Sequence, residues 1–338
     1  MTAVLASRGR VRRAVKRAAT LLLIAGSCAL AWYAPSRLLA QQRRIQIFTA
    51  DSRAAAGPRA EARQPATIRV ATFNIAHARG GEFGASNWTG ASKAEVRSRL
   101  AKIARQVSDA RADVLVLNEV DFQSSWSRSI DQAAEIAGAT GLVHVLEQRN
   151  VDVALPFRTF RFGNAILSRY PIARAEAIRF PPYSRWEAAL AGNHDGVVAE
   201  VLTPLGRVRV VAVHLEYRSE EVRLRCARII ETLAEGDARP WIVMGDFNSI
   251  PAFARRHPGY APAENAVDLL LRGGKLSASK AATGWEHYVT FPSASPDRAI
   301  DWILTSHGLD QGVPAAIRSD LSDHLMVVVP VSAPLRSE

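Results

Sequence analysis

A series of short apolar runs, four to seven residues long, does most to limit what this chain can fold into. The runs are rich in β-branched residues and bounded by turn formers, a pattern typical of buried strands. Because helical patterns separate them and no repeat is visible, we expect an α/β protein with sheets packed face to face and helices outside. The predicted strands are 67–73, 114–117, 142–146, 164–167, 197–202, 208–213, 241–244, 300–304 and 325–329.

Two helices have clear start signals. Ser92 with Glu95 three residues later forms a capping box, and Ser219 begins a second helix whose first turn is acidic. Cys226 belongs to the apolar stripe of the second helix, so it is expected to be a core residue and not a catalytic thiol. The two stripes are Val96, Leu100, Ile103 and Val107, then Val222, Cys226, Ile229, Ile230 and Leu233.

Composition excludes several classes of protein. The 338 residues are 48% apolar and 22% charged, which is ordinary for a globular chain of one large or two smaller domains. Cys28 and Cys226 are the only cysteines, so a disulfide framework is excluded. The chain has no CxxC motif and no Cys/His cluster, so no structural zinc site is expected.

The net charge of +11 is concentrated at one end of the chain. Residues 1–66 hold 12 Lys and Arg against Asp51 and Glu61, which accounts for ten of these charges. Residues 67–338 hold 31 basic and 30 acidic residues. The folded part is therefore near neutral, and its total charge gives no strong sign of binding to duplex nucleic acid.

The N-terminal segment has the pattern of an export signal or a membrane anchor. Six cations between Arg8 and Arg17 precede an uncharged run of 19 residues, 18–36, which is long enough to span a bilayer. Residues 29–31, Ala-Leu-Ala, form a small-x-small cleavage pattern. With these cations before the run, the rest of the chain is expected outside the cytoplasm, in the periplasm, in the medium or anchored to the membrane. We predict this signal or anchor over 1–40 and a linker over 41–66.

Acids, amides and imidazoles recur where the apolar runs stop. Carboxylates hold a hard divalent cation, the cation neutralises a phosphate, and a histidine held by an acid accepts the proton of a water. Each residue alone has an ordinary explanation: a surface acid, an Asx-turn or a core histidine. Their joint occurrence in this order favours a metal-dependent hydrolase. The residues are Asn74, Glu119, His214, Asp246, Asn248, Asp301, Asp323 and His324.

Seven motif blocks in this order resemble the endonuclease/exonuclease/phosphatase superfamily, which includes pancreatic-type deoxyribonucleases and bacterial sphingomyelinases. The resemblance implies a four-layer α/β-sandwich over 67–332, a short tail over 333–338, and a Mg²⁺ or Mn²⁺ site at one rim of the sandwich. The blocks are Thr72-Phe73-Asn74-Ile75, Leu117-Asn118-Glu119-Val120-Asp121, Gly163-Asn164 through Pro171-Ile172, Val213-His214-Leu215, Gly245-Asp246-Phe247-Asn248, Arg298 through Ile303, and Ser322-Asp323-His324.

The resemblance also implies a role for each residue. Glu119 is the principal metal ligand, with Asn74 and Asp323 completing the metal environment. Asp246 and Asn248 orient the attacking water, His214 donates to a phosphate oxygen, and Asp301 fixes the tautomer of His324. Asn74, Asn164 and Arg298 are the expected phosphate contacts, and a purely structural, buried Asn164 is an equal alternative.

The chain departs from the abasic-site endonucleases at two positions. Those enzymes carry an acid or amide two residues after the first Asn, where this chain has Ala76 followed by His77. They also carry a Tyr where this chain has His214. The deoxyribonuclease and sphingomyelinase branches are therefore closer. Whether His77 approaches the metal or is a surface residue beside it is open.

The sequence leaves the substrate open. A near-neutral, exported domain fits a phospholipid head group, extracellular nucleic acid or a small phosphodiester, and we infer no obligate protein partner. Residues 180–186 carry three aromatics and fit either a lipid-contacting loop or a packed connection. The expected activity is that of a phosphodiesterase-type hydrolase, with a secreted nuclease as the alternative. A catalytically inactive surface binding module is the alternative outside enzymes.

Overall fold

The computed structural model describes residues 15–24, 26–33, 44–52, 66–82, 84, 86–88, 90–155, 157–190, 192–254, 264–278 and 288–334. The α-helices are α1 (Val15–Tyr33), α2 (Lys93–Asp109), α3 (Gln132–Thr140), α4 (Arg185–Leu190), α5 (Glu220–Glu235) and α6 (Ala266–Arg272). The strands are β1 (Ile45–Thr49), β2 (Thr67–Asn74), β3 (Val114–Asp121), β4 (His144–Leu155), β5 (Arg158–Ser168), β6 (Ile172–Ile178), β7 (Gly196–Thr203), β8 (Gly206–His214), β9 (Trp241–Asp246), β10 (Leu276–Ser277), β11 (Asp301–Ser306), β12 (Asp310–Gln311), β13 (Ala315–Ile317) and β14 (Met326–Ser332).

The strands form two mixed sheets. One has the order β1-β4-β5-β3-β2-β14-β12, with β13 also paired to β14, and the other has the order β10-β11-β9-β8-β7-β6. Most neighbours are antiparallel, but β2 pairs with β3 and β8 pairs with β9 in parallel. This architecture confirms the predicted α/β-sandwich.

Alternate residues of the central strands supply two separate cores. Ile68 and Val70 of β2 pack between the sheets, whereas Ala71 and Phe73 pack on the outer side of the first sheet. This is the period-two pattern of a strand covered on both faces. The outer core of the first sheet includes residues of α2 and α3, and the core of the second sheet includes residues of α5 and α6. Two sheets and two outer helical layers make the four layers.

Both helices predicted from start signals are present. Ser92 caps α2, accepting from the N–H of Glu95 while the Glu95 side chain accepts from the N–H of Ser92. The Ser219 side chain accepts from the N–H of Val222 at the start of α5. Cys226 is 2% exposed, and its burial raises the pKa of the thiol to about 12, as expected of a core residue.

The linker predicted over 41–66 is wrong for residues 45–49. These residues form β1, which pairs antiparallel with β4 at the edge of the first sheet. Ile45 packs against the inter-sheet core and Phe48 against the outer core, which explains why the segment joins the sheet. Residues 53–65 of the predicted linker lie outside the described residues.

Helix α1 covers residues 15–33 of the signal or anchor predicted over 1–40. It is 19 residues long and exposed in the structure, and by length and composition it is able to cross a membrane. The Trp32 indole donates to the carbonyl of Ala154, and the Tyr33 hydroxyl donates to that of Leu190. Lys16 and Arg17 lie in the first turn of α1, whereas the other four cations, at 8, 10, 12 and 13, and the end of the tail, 335–338, lie outside the described residues.

Candidate active site at one rim of the sandwich

Strand register brings the predicted polar residues to one edge of the sandwich. In the parallel pair β2/β3, Asn74, the last residue of β2, lies opposite Asn118 of β3. In the parallel pair β8/β9, His214 lies opposite Asp246. Asp301, the first residue of β11, is the antiparallel partner of Asp246. Acids, amides and an imidazole from both sheets therefore lie at the same rim.

Asn74 connects the acids of the two sheets. Its Nδ2 donates to Glu119 Oε1 at 3.3 Å and to Asp246 Oδ2 at 3.1 Å. Its Oδ1 accepts from the N–H of Ala76 at 3.0 Å, which fixes the orientation of the amide. Glu119 lies at a bulge in β3 with φ of 52°. Its side chain is 25% exposed, more than those of Asp246 or Asp301, so it is the acid most open to a solute.

Asn118 is a buried residue that links the two sheets by hydrogen bonds. It was not among the predicted site residues. Its Nδ2 donates to Asn164 Oδ1 at 2.8 Å and to the carbonyl of Val213 at 2.9 Å, and its Oδ1 accepts from the N–H of Asp246 at 3.0 Å. Asn164 is completely buried and donates to Gln148 Oε1 at 2.7 Å. Asn164 therefore supports Asn118 from below the rim. The sequence feature that could have identified Asn118 is its position immediately before Glu119, at the end of a predicted strand.

His324 and Asp301 form the pair that the sequence predicted. His324 Nδ1 lies 2.8 Å from Asp301 Oδ2, which also accepts from Thr290 Oγ1 at 2.5 Å. We assign the proton to Nδ1, because an ionised carboxylate only accepts. The other ring nitrogen, Nε2, is 3.8 Å from Asp246 Oδ2. The ring packs on Phe291, with centroids 4.7 Å apart.

Arg79 places a cation among the predicted metal ligands. Its Nη2 is 3.8 Å from Glu119 Oε2 and 3.7 Å from Asp323 Oδ2. The Arg79 guanidinium thus contacts both Asp323 and Glu119. Ser322, which precedes Asp323, donates to the carbonyl of Asn74 at 2.7 Å. Arg79 was not predicted, because it follows an irregular segment that no apolar pattern marks.

His77 belongs to a second acid–imidazole pair. Its Nδ1 lies 2.9 Å from Asp121 Oδ1, and its Nε2 lies 3.4 Å from Glu119 Oε2. The other oxygen of Asp121 accepts from the Trp126 indole at 2.8 Å. The imidazole is enclosed between Trp126 and Phe162, edge to face with both rings. These contacts fix the position of the His77 imidazole, so His77 is not a surface residue beside the site.

His214 and Asn248 flank Asp246. His214 Nε2 is 3.7 Å from Asp246 Oδ2, and its ring meets His194 edge to face at 5.1 Å. The N–H of Asn248 donates to Asp246 Oδ1 at 2.9 Å, and its Nδ2 donates to the carbonyl of Leu215 at 3.1 Å. Both oxygens of Asp246 are thus engaged.

Arg298 contacts Phe291 and Asp297. Its guanidinium stacks over Phe291 at 4.6 Å and pairs with Asp297 at 3.1 Å. Phe291 in turn packs on His324. The structure therefore places Arg298 behind the ring that supports His324.

The charges of the site shift the pKa values of its groups in opposite directions. Burial raises the pKa of Glu119, but cations outweigh it and bring that pKa to about 2. Burial, then the nearby Asp301, raise the pKa of Asp246. Burial lowers the pKa of His324, but Asp301 and other acids outweigh it and raise that pKa to about 10. The groups that lower the pKa of Glu119 are the imidazoles of His77, His214 and His324 when charged, and the Arg79 guanidinium.

A cavity of about 320 Å³ opens beside Glu119. His77, His214, Tyr183 and Arg218 are among the residues that line it. A second concavity, of about 700 Å³, lies between α2 and β13 and has no histidine in its lining. Only the first combines a carboxylate with imidazoles, so it is the candidate substrate site.

The sequence profile of the Endonuclease/Exonuclease/phosphatase family matches residues 71–324. The chain belongs to the endonuclease/exonuclease/phosphatase family. Members of this family are hydrolases that act on phosphate esters, generally with a divalent metal ion. The match covers every motif block that carried the resemblance, which is thereby confirmed.

Solved structures share the family fold at low sequence identity. A family protein from Beutenbergia cavernae is 23% identical, with a TM-score of 0.57 over 79% of this chain and 72% of that one. A mannosyl-6-phosphatase from Bacteroides thetaiotaomicron is 16% identical, with a TM-score of 0.55 over 78% and 99%. The human Nocturnin catalytic domain with bound sulfate is 16% identical, with a TM-score of 0.54 over 86% and 97%. No curated protein matches the chain.

The donor set at the rim fits a divalent cation. Glu119 offers a partly exposed oxygen, and Asp246, Asp301 and His324 offer donor atoms that lie within 4.8 Å of one another. Asp301 Oδ1 is buried and has no hydrogen-bond partner within the described part of the chain. Carboxylate and amide oxygens with an occasional imidazole are a donor chemistry that suits Mg²⁺ or Mn²⁺.

Proposed function

We propose that this protein is a divalent-metal-dependent phosphodiesterase whose site is the rim around Glu119 and Asp246. One observation carries the proposal. An Asn bridges a partly exposed glutamate of one sheet and a buried aspartate of the other, which itself lies 3.8 Å from an Asp-held histidine. This chain of contacts supports a cation ligand, a water-holding acid and a charged imidazole in one site. A binding module has no need of this arrangement.

Glu119, Asn74 and Asp323 would hold Mg²⁺ or Mn²⁺, and the bound ion would neutralise phosphate charge and stabilise the leaving oxygen. The protein residues supply the rest of the chemistry. Asp246 holds the attacking water together with the amide of Asn248, and the raised pKa of Asp246 suits it to accept the water's proton.

The two histidines supply donors for the phosphate. The raised pKa of His324 keeps its imidazole charged near neutral pH, so Nε2 donates to a phosphate oxygen and is a poor proton acceptor. Asp301 holds the ring in place through Nδ1. His214 donates to a second phosphate oxygen. This assignment gives the proton transfer to Asp246 in place of His324.

Two features of the cavity favour a small or lipid-borne phosphodiester over nucleic acid. Arg218 is the one Lys or Arg among the described residues that line it, and Glu216 and Glu187 pair with its guanidinium. Among the described lining residues, no Lys or Arg free of an acidic partner remains for a polyanionic backbone. Exposed apolar side chains also lie on α4 and the β4–β5 turn, including Phe157 at 96% and Trp186 at 80% exposure.

These apolar side chains lie where α1 meets the domain. Trp32 of α1 bonds to the carbonyl of Ala154 beside the β4–β5 turn, and Tyr33 bonds to that of Leu190 at the end of α4. We propose that the chain is exported and either cleaved at residues 29–31, near the end of α1, or anchored by α1, with the cavity on the outer side of the membrane. Fractionation of expressing cells, with protease added to intact cells, checks the orientation.

A panel of phosphate esters tests the activity. The full chain in mild detergent is assayed on a phospholipid head-group diester, single- and double-stranded DNA and small diesters, with Mg²⁺, Mn²⁺ or chelator. We expect metal-dependent release of phosphate monoester from the lipid or small diesters. Preference for DNA, with a steep fall in affinity as salt increases, would support the nuclease alternative. Absence of any turnover with intact folding would support the binding module.

A further inference from the structure

The left-handed turn after β2 positions His77 beside Glu119, the proposed principal metal ligand. Ala76, His77 and Ala78 all have φ between 45° and 57°, a conformation that costs non-glycine residues about 1–2 kcal/mol each. Gln132 is completely buried and holds the turn, since its amide donates to the carbonyl of His77 at 2.9 Å. A strained segment that is held this firmly indicates a function for the side chain it presents.

The hydrogen bonds of His77 fix which nitrogen faces Glu119. Asp121 accepts from the Trp126 indole at one oxygen and lies 2.9 Å from His77 Nδ1 at the other. Because Asp121 is fully buried with these partners, its carboxylate assigns the proton to Nδ1. The lone pair of Nε2 then faces Glu119. This carboxylate–histidine arrangement is the one that supports histidine ligands of metals.

The distance between His77 and Glu119 suits two ligands of one ion. Nε2 and Oε2 are 3.4 Å apart, and with the proton on Nδ1 the neutral ring has no N–H directed at Oε2. Two donors at about 2.1 Å from one ion, at right angles, are about 3 Å apart. The other oxygen of Glu119 is occupied by Asn74, which leaves Oε2 for this contact.

We infer that His77 Nε2 is a protein ligand of the metal ion beside Glu119, which makes the site a mixed nitrogen–oxygen site that selects Mn²⁺ over Mg²⁺. The inference rests on the proposed function for the presence of a cation at Glu119. Imidazole suits transition metals, whereas Mg²⁺ strongly prefers oxygen. His77 Nε2 contacts Glu119 Oε2 directly at 3.4 Å, whereas the Arg79 guanidinium contacts both Glu119 and Asp323.

Pulsed electron paramagnetic resonance of Mn²⁺ bound to the full chain tests the inference directly. We expect nitrogen coupling to Mn²⁺ that changes when the protein is labelled with ¹⁵N-histidine. A wild-type spectrum without histidine nitrogen coupling overturns the inference. This readout does not depend on turnover. Nitrogen coupling in a protein without activity would therefore contradict the proposed function but support the ligand assignment.

Variants identify the histidine. In His77→Gln we expect the nitrogen coupling to vanish and the Kd for Mn²⁺, measured calorimetrically, to rise at least about 10-fold, with little change for Mg²⁺. His194→Gln, at a histidine of the same cavity, is the matched control and should keep the coupling. Coupling that persists in His77→Gln and vanishes in His214→Gln overturns the assignment.

A second variant covers the case in which His77→Gln does not fold. Asp121→Asn keeps the imidazole but removes the acceptor that fixes its tautomer, and it should weaken Mn²⁺ binding about 10- to 100-fold. Metal-free melting of each variant separates lost ligation from lost folding. Unchanged Mn²⁺ affinity in a folded Asp121→Asn protein counts against the inference.

Discussion

At the scale of single residues, the site is organised by how the oxygens of each acid are engaged. Glu119 accepts from Asn74 at Oε1, and its Oε2 lies beside His77 Nε2. Asp246 accepts from Asn74 at Oδ2 and from the N–H of Asn248 at Oδ1. The more exposed acid therefore suits cation binding, and the buried, fully held acid suits the handling of a water.

Glu119→Gln tests the principal ligand. The change removes the charge with almost no change in volume, so the fold should survive. Metal-dependent hydrolysis should fall about 100-fold or more, because several kcal/mol of transition-state stabilisation come from a bound cation. Rates with saturating Mn²⁺ and a melting curve are the measurements. A normally folded variant that hydrolyses at the parent rate would show that Glu119 is not the ligand.

His324→Ala tests the charged imidazole. Removing it should slow turnover about 100- to 10,000-fold, the range for a group that assists proton transfer or charge development. Asp301→Asn keeps the ring but weakens the hold on Nδ1, so it should lose less. The order of the two losses, measured as kcat/KM, is the check. A larger loss in Asp301→Asn than in His324→Ala would contradict a supporting role for Asp301.

The sequence identified residues that end a strand or lie in a motif, and missed those that act through tertiary contact. Glu119, Asp246 and His324 were predicted because each follows or precedes an apolar run. Asn118 was passed over because a strand-end amide beside an acid looks like part of the same signal. Arg79 reaches Asp323 across 244 positions of sequence, and no local pattern encodes that contact.

At the scale of elements, β9 depends on a glycine at its point of closest approach to β8. Gly245 has φ of 144°, and a Cβ there would lie 1.9 Å from the carbonyl oxygen of Val213. That oxygen also accepts from Asn118, so it has little freedom to move. The glycine therefore lets β9 bring Asp246 next to His214.

Gly245→Ala should destabilise the protein by about 3 kcal/mol or more, since it combines a backbone clash with an unfavourable φ. Gly206→Ala is the matched control, because Gly206 also has a positive φ, 94°, but no atom of the described residues lies within 4 Å of its Cβ position. The control should cost only about 1–2 kcal/mol. Urea unfolding gives both values, and equal losses would show that close approach is not what requires Gly245.

Strands were predictable where both faces are covered and were missed where they are not. β3 and β9 appear as continuous apolar runs because their residues are buried on both sides. β6 is an edge strand whose Ala, Arg and Glu residues are partly exposed, so it carried no apolar signal. β1 was missed for a related reason, because only Ile45 and Phe48 pack on a core.

At the scale of the whole molecule, stability includes buried charges that lie away from the site. Glu147 in β4 is 1% exposed and lies 3.1 Å from Arg149. Burial, helped by the Asp131 carboxylate and opposed by Arg149, raises the pKa of Glu147 from 4.5 to about 8. The folded protein therefore retains a proton at a pH where the unfolded chain has lost it.

The pH dependence of unfolding follows from this shift. A carboxyl whose pKa is higher in the folded state contributes stability that is fully present below pH 4.5 and is lost as pH rises through about 8. Glu147→Gln keeps a donor toward Asp131 without needing a proton, and Arg149 keeps Gln46 as a partner at 2.9 Å. The variant should thus gain stability over the parent between pH 5 and pH 8, and the difference should level off above pH 8. Denaturant unfolding at several pH values measures this difference in the free energy of unfolding.

Glu176→Gln on edge strand β6 is the control. Its free energy of unfolding should follow that of the parent at every pH, since Glu176 is 56% exposed. A Glu147→Gln curve that also runs parallel to the parent would mean that Glu147 is ionised in the fold.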